Sequence, residues 1–427
     1  MYKITFNQIE KTIRKENYIL LLLILFLSAR SNVISLHYLT LISVFIFAII
    51  LFVKRGYELQ MTIVLFTIIY LSSLAVYYIT FGWLDILLSI RMLLIFILCY
   101  MAIRILDEDF FSLYEKIIYV LAIISLILFP FQILFYKELY KIVNVISYVI
   151  PNFGSREDIS FANIFVFSIN GDGASRNSGF TWEPKGYGNF LIISIIINLV
   201  QNKFKINKKL IVLILATLTT FSTVAFLILF FLIPIFCMLN ISKSYFLLFI
   251  PFFIISILLT LQLPFMQKKI EREWIGRYEY KVLLEDSRFV NIERSLGRMP
   301  SMMVDFNDFL KNPIFGYGVQ KNERTQSIYV HLVRTNGLSD WLADFGIVGL
   351  LFLLFAHYLG FKKYLLHNNL RGQTILVVIV LFIYFATTVT THPFWIMLQF
   401  MFVSNYLTEG EIHQEDRKLT IQGQLCT

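Results

Sequence analysis

Runs of about 20 apolar residues recur along almost the whole of this 427-residue chain, and no other feature restricts its fold as strongly. In hydrocarbon every backbone N–H and C=O must be satisfied inside the protein, so runs this long and continuously apolar read as spanning helices and not as barrel strands. They fall, within a few residues, at 17–30, 34–53, 59–79, 83–103, 113–136, 186–201, 209–221, 223–240, 244–262, 338–360, 373–390 and 393–408. The first and seventh are short for a bilayer core roughly 30 Å thick, so their ends are the least defined. With 58% hydrophobic and 15% charged residues, against roughly 25% charged in a soluble domain, a single-core soluble protein is excluded. The first run leads straight into the next and lacks a small-residue cleavage site, so it reads as a span and not a signal peptide.

Charge sets the orientation. Lys3, Lys11, Arg14, Lys15, Lys54, Arg55, Arg104, Lys203, Lys205, Lys208, Lys209, Lys243, Lys362, Lys363, Arg371, Arg417 and Lys418 all fall in one set of connections, while the short loops of the other set hold little beyond Arg30. The positive-inside rule then puts both termini in the cytoplasm and segments 137–185 and 263–337 on the outer face. The expected fold class is an all-α polytopic integral membrane protein with about twelve transmembrane helices, two long outer-face loops and cytoplasmic termini. Residues 1–408 form its one transmembrane domain and 409–427 its tail. The net charge of +9 has this topological explanation, and no aromatic-interleaved basic stripe points to nucleic acid. Cys99 and Cys237 lie in apolar runs and Cys426 in the tail. No HExxH, paired-cysteine or clustered His/Asp spacing is present, so neither a disulfide framework, a metal nor another cofactor is expected.

The chemistry-bearing residues concentrate in the two long polar segments. In the first, 139–150 reads as a short amphipathic, interfacial piece. Arg176-Asn177-Ser178-Gly179-Phe180-Thr181-Trp182-Glu183-Pro184 follows. Arg176 offers a rigid fork of donors suited to phosphate oxygens. Gly179 allows close backbone approach, Pro184 fits the first turn of the sixth span, and Glu183 is either that helix's cap or a base. The second segment carries Arg272, Arg277, Arg288, Arg294, Arg298, Arg324 and Arg334, diluted by acidic residues. Arg277 stands in a helix-like run; Arg294 and Arg298, four apart, share a face if that stretch is helical. These three are candidates for contact with a compact anion. Arg324, in a charged stretch, reads as solvated. Gly316-Tyr317-Gly318 lacks a third glycine and a strand–turn–helix setting, so it reads as a tight turn able to present N–H groups to a ligand. His331 shares a face with Thr335 if 331–336 is helical, which makes it a candidate base. His392 stands beside Pro393 at the last span. Within the spans, Arg91 is either part of a polar seam between helices, a snorkelling side chain or a contact for an anionic ligand; Asp85, six residues away, is not its ion-pair partner.

An arginine, a glycine and Glu-Pro leading into a membrane helix resemble the signature of the bacterial O-antigen polymerase and O-antigen ligase superfamily. Asn312-Pro313-Ile314-Phe315-Gly316-Tyr317-Gly318 is similar to that family's Pro-x-x-Gly-x-Gly turn. Asn336-Gly337, Leu342 and Phe345-Gly346-Ile347-Val348-Gly349-Leu350 are similar to its helix start after the large loop. With many spans and one dominant late loop, the resemblance covers nearly the whole chain. The ligase branch often has a histidine immediately before the asparagine; here Thr335 occupies that place and His331 lies four residues earlier.

The resemblance implies metal-independent glycosyl transfer at the periplasmic face of the bacterial inner membrane, within lipopolysaccharide O-antigen biosynthesis. In the polymerase branch, a hydroxyl of one undecaprenyl-pyrophosphate-linked oligosaccharide repeat attacks the anomeric carbon of the growing chain. Undecaprenyl pyrophosphate leaves, with inversion expected. The donor is already activated, so the protein supplies orientation and charge stabilisation. The residues then expected to act are Arg176, Glu183, Arg277 and His331, with Arg91, Arg294, Arg298, Gly316 and Gly318 binding substrate. A chain-length-regulating membrane protein is the implied partner. The alternatives are an O-antigen ligase transferring chains to lipid A-core and, in another class, a lipid-linked saccharide transporter or flippase. The latter would carry internal repeats and mid-membrane charges that are scarce here.

Overall fold

Helix ends in this chain are written by a few residues. Asp85, Asn207, Ser222 and Asn336 each accept the backbone N–H three positions on, from Leu88, Leu210, Ala225 and Ser339. Pro184 and Pro393 occupy first turns, where no N–H is needed. Gly82, with φ 75, closes a helix in the left-handed region. The computed structural model describes residues 2–31, 33–147, 161–170, 176–240, 292–318, 323–325 and 330–404, with isolated positions 262, 267 and 271.

In order these are α1 (Tyr2–Ala29), α2 (Val33–Leu36), α3 (Tyr38–Lys54), α4 (Met61–Phe81), α5 (Ile86–Leu106), α6 (Asp109–Leu134) and α7 (Tyr136–Ser147). Strands β1 (Phe161–Asn163) and β2 (Ser168–Asn170) precede α8 (Pro184–Gln201), α9 (Lys208–Thr219) and α10 (Thr223–Asn240), which contains a π turn at Ile228–Leu232. Then come β3 (Ile292–Ser295), α11 (Arg298–Lys311), β4 (Val330–Val333), α12 (Gly337–His367), α13 (Gln373–Ala386) and α14 (Pro393–Gln399, continued by a 3-10 turn, Phe400–Val403). Among the described residues α4, α5, α6, α10 and α12 are long and apolar enough to cross a membrane, and α3, α13 and α14 are shorter apolar helices.

Burial ranks the helices. Every residue of 186–200 in α8 and of Pro393–Gln399 in α14 is buried, so these two form the centre. Of the polar groups this buries, Asn189 Nδ2 donates to Thr387 Oγ1 at 3.2 Å and Asn198 Nδ2 to Glu115 Oε1 at 2.9 Å. At the periphery, α4 buries only Ile63, Tyr70 and Tyr77.

Two sets of contacts define two ends of the bundle. At one, Arg55 bonds the Ile105 carbonyl and Asn17, Arg104 bonds the Val403 carbonyl, and Lys209 pairs with Glu115 at 2.8 Å. At the other, Ser28 meets His392 and Phe394, Gln132 meets Arg176, Tyr77 meets Phe315, and Arg298 meets Ala386. Among the described residues, the short basic connections gather at the first end and the described parts of the long polar segments at the second.

The structure departs from the sequence reading in several places. The helix expected over 17–30 starts at Tyr2. The two long segments contain strands: β1 and β2 form an antiparallel hairpin, and β3 and β4 pair in parallel with Glu293 opposite His331 and Arg294 opposite Leu332. Partners as far apart in sequence as those of β3 and β4 leave no local signal of their pairing. Arg294 therefore sits on a strand and Arg298 opens a helix, so the two do not share a helical face. Nor do His331 and Thr335, because β4 ends at Val333 and α12 starts at Gly337. The interfacial piece expected at 139–150 corresponds to α7, which packs Val143 against Phe167 and Ile169 and leaves Ile142 and Val145 exposed. The span expected at 244–262 lies outside the described residues apart from its last position.

Candidate functional site

The approach to α8 is built around Asn177. Its side chain donates to Ser125 Oγ at 3.2 Å and to Thr219 Oγ1 at 2.9 Å, and accepts from the Gly179 N–H at 2.9 Å. Its backbone N–H donates to the Thr219 carbonyl at 3.0 Å. Gly179, with φ 50, lies against the Tyr187 ring, which a Cβ would approach to 2.6 Å. The close approach expected at this glycine is thus made to a protein ring.

Arg176 is fixed by the same framework. Its Nε and Nη2 donate to the Thr220 and Phe221 carbonyls, each at 3.2 Å, and its own carbonyl accepts from Gln132 Nε2 at 3.2 Å. One edge of the fork therefore caps the end of α9, and Nη1 is left without a hydrogen bond among the described residues. Burial lowers its pKa from the ordinary value and the Glu183 charge opposes that shift; a guanidinium so placed remains cationic. Glu183 stands at the N-cap position of α8, but its side chain makes no capping bond. It lies 3.3 Å from Lys185 Nζ, so of the two roles open to it the cap is removed.

The two glycine motifs dock on one another. Gly346, with φ 62 and ψ −160, breaks α12, and the carbonyls freed there are taken by the 312–318 turn. Tyr317 N–H donates to Ala343 O at 3.0 Å, Gly318 N–H to Asp344 O at 2.5 Å, and Ile347 N–H to Pro313 O at 2.9 Å. Gly316 and Gly318 (φ 68 and 62) hold this geometry. The Gly316 N–H donates to Asn312 O at 3.0 Å, so the N–H groups expected to meet a ligand are spent within the protein. Gly346→Ala places a Cβ on the Ile314 carbonyl, whereas Gly56→Ala, at φ 67, meets open space. Gly56→Ala is expected to cost about 1 kcal/mol from the backbone alone. Gly346→Ala should cost about 3 kcal/mol or more, because the clash adds to the strain. Thermal unfolding of both variants in detergent checks the ordering.

Arg324 contradicts the solvated reading. It is 3% exposed, with Nη1 at 2.6 Å from Asp340 and 2.7 Å from Asp344, and Nη2 at 2.6 Å from Asp305. Arg334 adds Nη1 to Asp305 at 2.5 Å and Nη2 to Asp308 at 3.2 Å, while Ser339 Oγ donates to Asp305 at 2.6 Å. Burial alone would lower the pKa of Arg324; the Asp344, Asp340 and Asp305 charges more than offset it and raise it. This cage locks α11 and residues 323–325 onto the first two turns of α12. The sequence held a signal for it: Asp305/Asp308 and Asp340/Asp344 have the three- and four-residue spacings of one helix face.

Of the remaining candidates, Arg298 donates through Nε to the Ala386 carbonyl at 3.1 Å, joining the second long segment to the end of α13. Arg91, half-buried in α5, stacks its guanidinium over the Tyr38 ring at 5.2 Å. Arg294 and His331 are placed by their strands only, and Arg277 lies outside the described residues. Arg176, Glu183, Arg298 and Arg91 all belong to the same end of the bundle. Among the described residues no group of three His, Cys, Asp or Glu side chains is placed to hold a metal ion. No protein-family model, curated protein or solved structure matches this chain.

Proposed function

We propose that this chain is an O-antigen polymerase of the bacterial inner membrane, joining undecaprenyl-pyrophosphate-linked oligosaccharide repeats at the periplasmic face. The observation that carries the reading is Arg176, anchored by one edge of its guanidinium at the mouth of the bundle. Its other edge is unspent, and the Glu183 carboxylate acts on its charge. A pre-oriented cation stabilises charge developing on a departing pyrophosphate without reorganisation during the reaction. Glu183 is the base for the attacking hydroxyl in this reading, and Arg298, on the same end, is a second contact for the anion. The docking of the 312–318 and 345–350 motifs supports the family resemblance, because stretches chosen independently in the sequence make one backbone-to-backbone joint.

The test is conversion of lipid-linked repeats by the purified chain in excess EDTA, together with the O-antigen profile of a deletion strain. Polymer in chelator and single-repeat O antigen in the strain are expected. Activity that chelator removes and one specific divalent ion restores would show that the main electrophile is missing from this inventory. Fully polymerised but unattached chains in the strain would assign the ligase function instead.

The reading also requires the loop end to face the periplasm. In a chain whose native cysteines are replaced by alanine, Asn307→Cys, exposed on α11, is expected to react with an impermeant thiol reagent in intact spheroplasts. Lys205→Cys, exposed at the basic end, should react only after permeabilisation. The reverse pattern would invert the orientation.

A further inference from the structure

A second group of cations gathers at the loop end, where the last residues of α1, the second turn of α5 and the start of α14 meet. His392 Nδ1 lies 3.0 Å from the Ser28 carbonyl, and the Phe394 N–H donates to Ser28 Oγ at 2.8 Å, tying α14 to α1. Arg30 follows at once, and its charge and that of Arg91 act on each other and on the His392 ring. Among the described residues nothing neutralises them. Arg30 makes no hydrogen bond or ion pair there, Arg91 rests only on the Tyr38 ring, and the charges acting on His392 are those two guanidiniums.

The polar atoms around these cations are equally unsatisfied. His392 is 5% exposed, and with Nδ1–H donating to a carbonyl its neutral ring presents Nε2 as an acceptor that has no partner. Ser31, next to Arg30 and 4% exposed, has an unpartnered hydroxyl. Arg30 also ends α1 at φ 49, where glycine or asparagine is the usual residue. Its side chain, not its backbone, explains an arginine there. Like charges held together, each partly screened from water, oppose folding unless something negative completes them.

We propose that Arg30, Arg91 and His392 form a seat for the phosphate end of a membrane lipid, distinct from the Arg176 centre. The guanidiniums grip phosphoryl oxygens, and His392, bonded to the Ser28 carbonyl, holds α14 against the end of α1 beside them. Arg91 lies five residues into α5, roughly 8 Å along the axis, a depth suited to a headgroup. Polymerisation requires two lipid pyrophosphates at once, one that leaves and one that stays attached. The Arg176 centre has Glu183 for proton transfer, whereas this cluster has no carboxylate, so it suits the pyrophosphate that stays, that of the acceptor. The acceptor assignment rests on the polymerase reading; the anion seat does not.

The experiment counts lipids bound to the purified full-length chain by native mass spectrometry, with polyprenyl pyrophosphate and phosphatidylglycerol as separate probes and inorganic pyrophosphate as competitor. The expected result is two polyprenyl pyrophosphates on the wild type, one on Arg30→Gln or Arg91→Gln, one on Arg176→Gln, and displacement by inorganic pyrophosphate. Since each glutamine variant at the cluster removes a repulsion, its unliganded Tm should equal or exceed that of the wild type, which separates lost binding from lost folding. Two lipids on both Arg30→Gln and Arg91→Gln overturn the seat. Equal occupancy by phosphatidylglycerol overturns the acceptor assignment, as does a normal chain-length ladder from the Arg30→Gln Arg91→Gln double variant. A wild type that binds two lipids yet makes no polymer supports the seat and overturns the glycosyl-transfer reading.

Discussion

Arg324→Ala is expected to leave little folded protein in the membrane. The substitution removes the one guanidinium that meets Asp305, Asp340 and Asp344 together. Arg334 is then the sole arginine of the cage, facing Asp305 and Asp308, while Asp340 and Asp344 lose the Arg324 guanidinium. Breaking a buried ion pair from one side costs about 3–5 kcal/mol, since the remaining charge stays desolvated. That is a large fraction of the stability of an ordinary domain. Arg324→Lys should rescue poorly, because a single ammonium cannot reproduce contacts made by two separate nitrogens of a planar fork. Fluorescence-detected size exclusion and thermal unfolding at matched expression provide the measurement. A monodisperse Arg324→Ala protein with wild-type Tm would show that the cage contributes nothing to holding α11 on α12.

Chain polymerisation should fall about a hundredfold in Arg176→Lys, the scale on which removing one pre-oriented donor acts. Lysine keeps the charge but cannot cap the Thr220 and Phe221 carbonyls while presenting a second edge outward. Arg176→Ala would lose both the capping and the charge, so it cannot separate catalysis from folding. Arg176→Gln does: its amide can still donate to a carbonyl at the end of α9, and the protein should retain its Tm while losing activity. Lys137→Ala, an exposed cation on α7, is the appropriate control. The readout is the ladder of lipopolysaccharide chain lengths from a deletion strain carrying each variant. A full ladder from Arg176→Gln would assign Arg176 to helix capping alone.

What could be read from the sequence divides along the range of the interactions. Helices were legible because hydrocarbon leaves the backbone no alternative; the runs at 59–79, 83–103 and 113–136 return as α4, α5 and α6 with ends shifted by a few residues. Pro184 marked the start of α8 for an equally local reason. Arg324 was misread because its partners stand at 305, 340 and 344, and a charged stretch gives no sign of which of its charges is buried. Asn177 was passed over because a short polar side chain in a loop looks the same whether it is solvated or, as here, fully buried at a three-way junction. β3 and β4 escaped because their partners are remote in sequence, and β1 and β2 because three residues each are too few to show an alternation. Gly316 and Gly318 were rightly placed in a turn, but the carbonyls they satisfy are exposed only because Gly346, far along the chain, interrupts α12.

The three buried residues of α4, Ile63, Tyr70 and Tyr77, recur every seventh position. Seven residues fall about 20° short of two full helical turns, so they trace a slow left-handed stripe along which α4 touches the bundle. Beside the stripe, Phe66 packs on Phe96, Phe352 and Phe400 and Phe81 stacks on Tyr317, while the exposed positions of the helix answer to oiliness alone. Over evolutionary time its outward positions are free to drift among aliphatic and aromatic residues without altering the protein, while the stripe is not: Tyr70 Oη donates to the Ser89 carbonyl at 3.0 Å and Tyr77 Oη to that of Phe315 at 2.6 Å. Two hydroxyls seven residues apart are therefore the polar contacts that a largely exposed helix must keep if it is to stay in register with its neighbours.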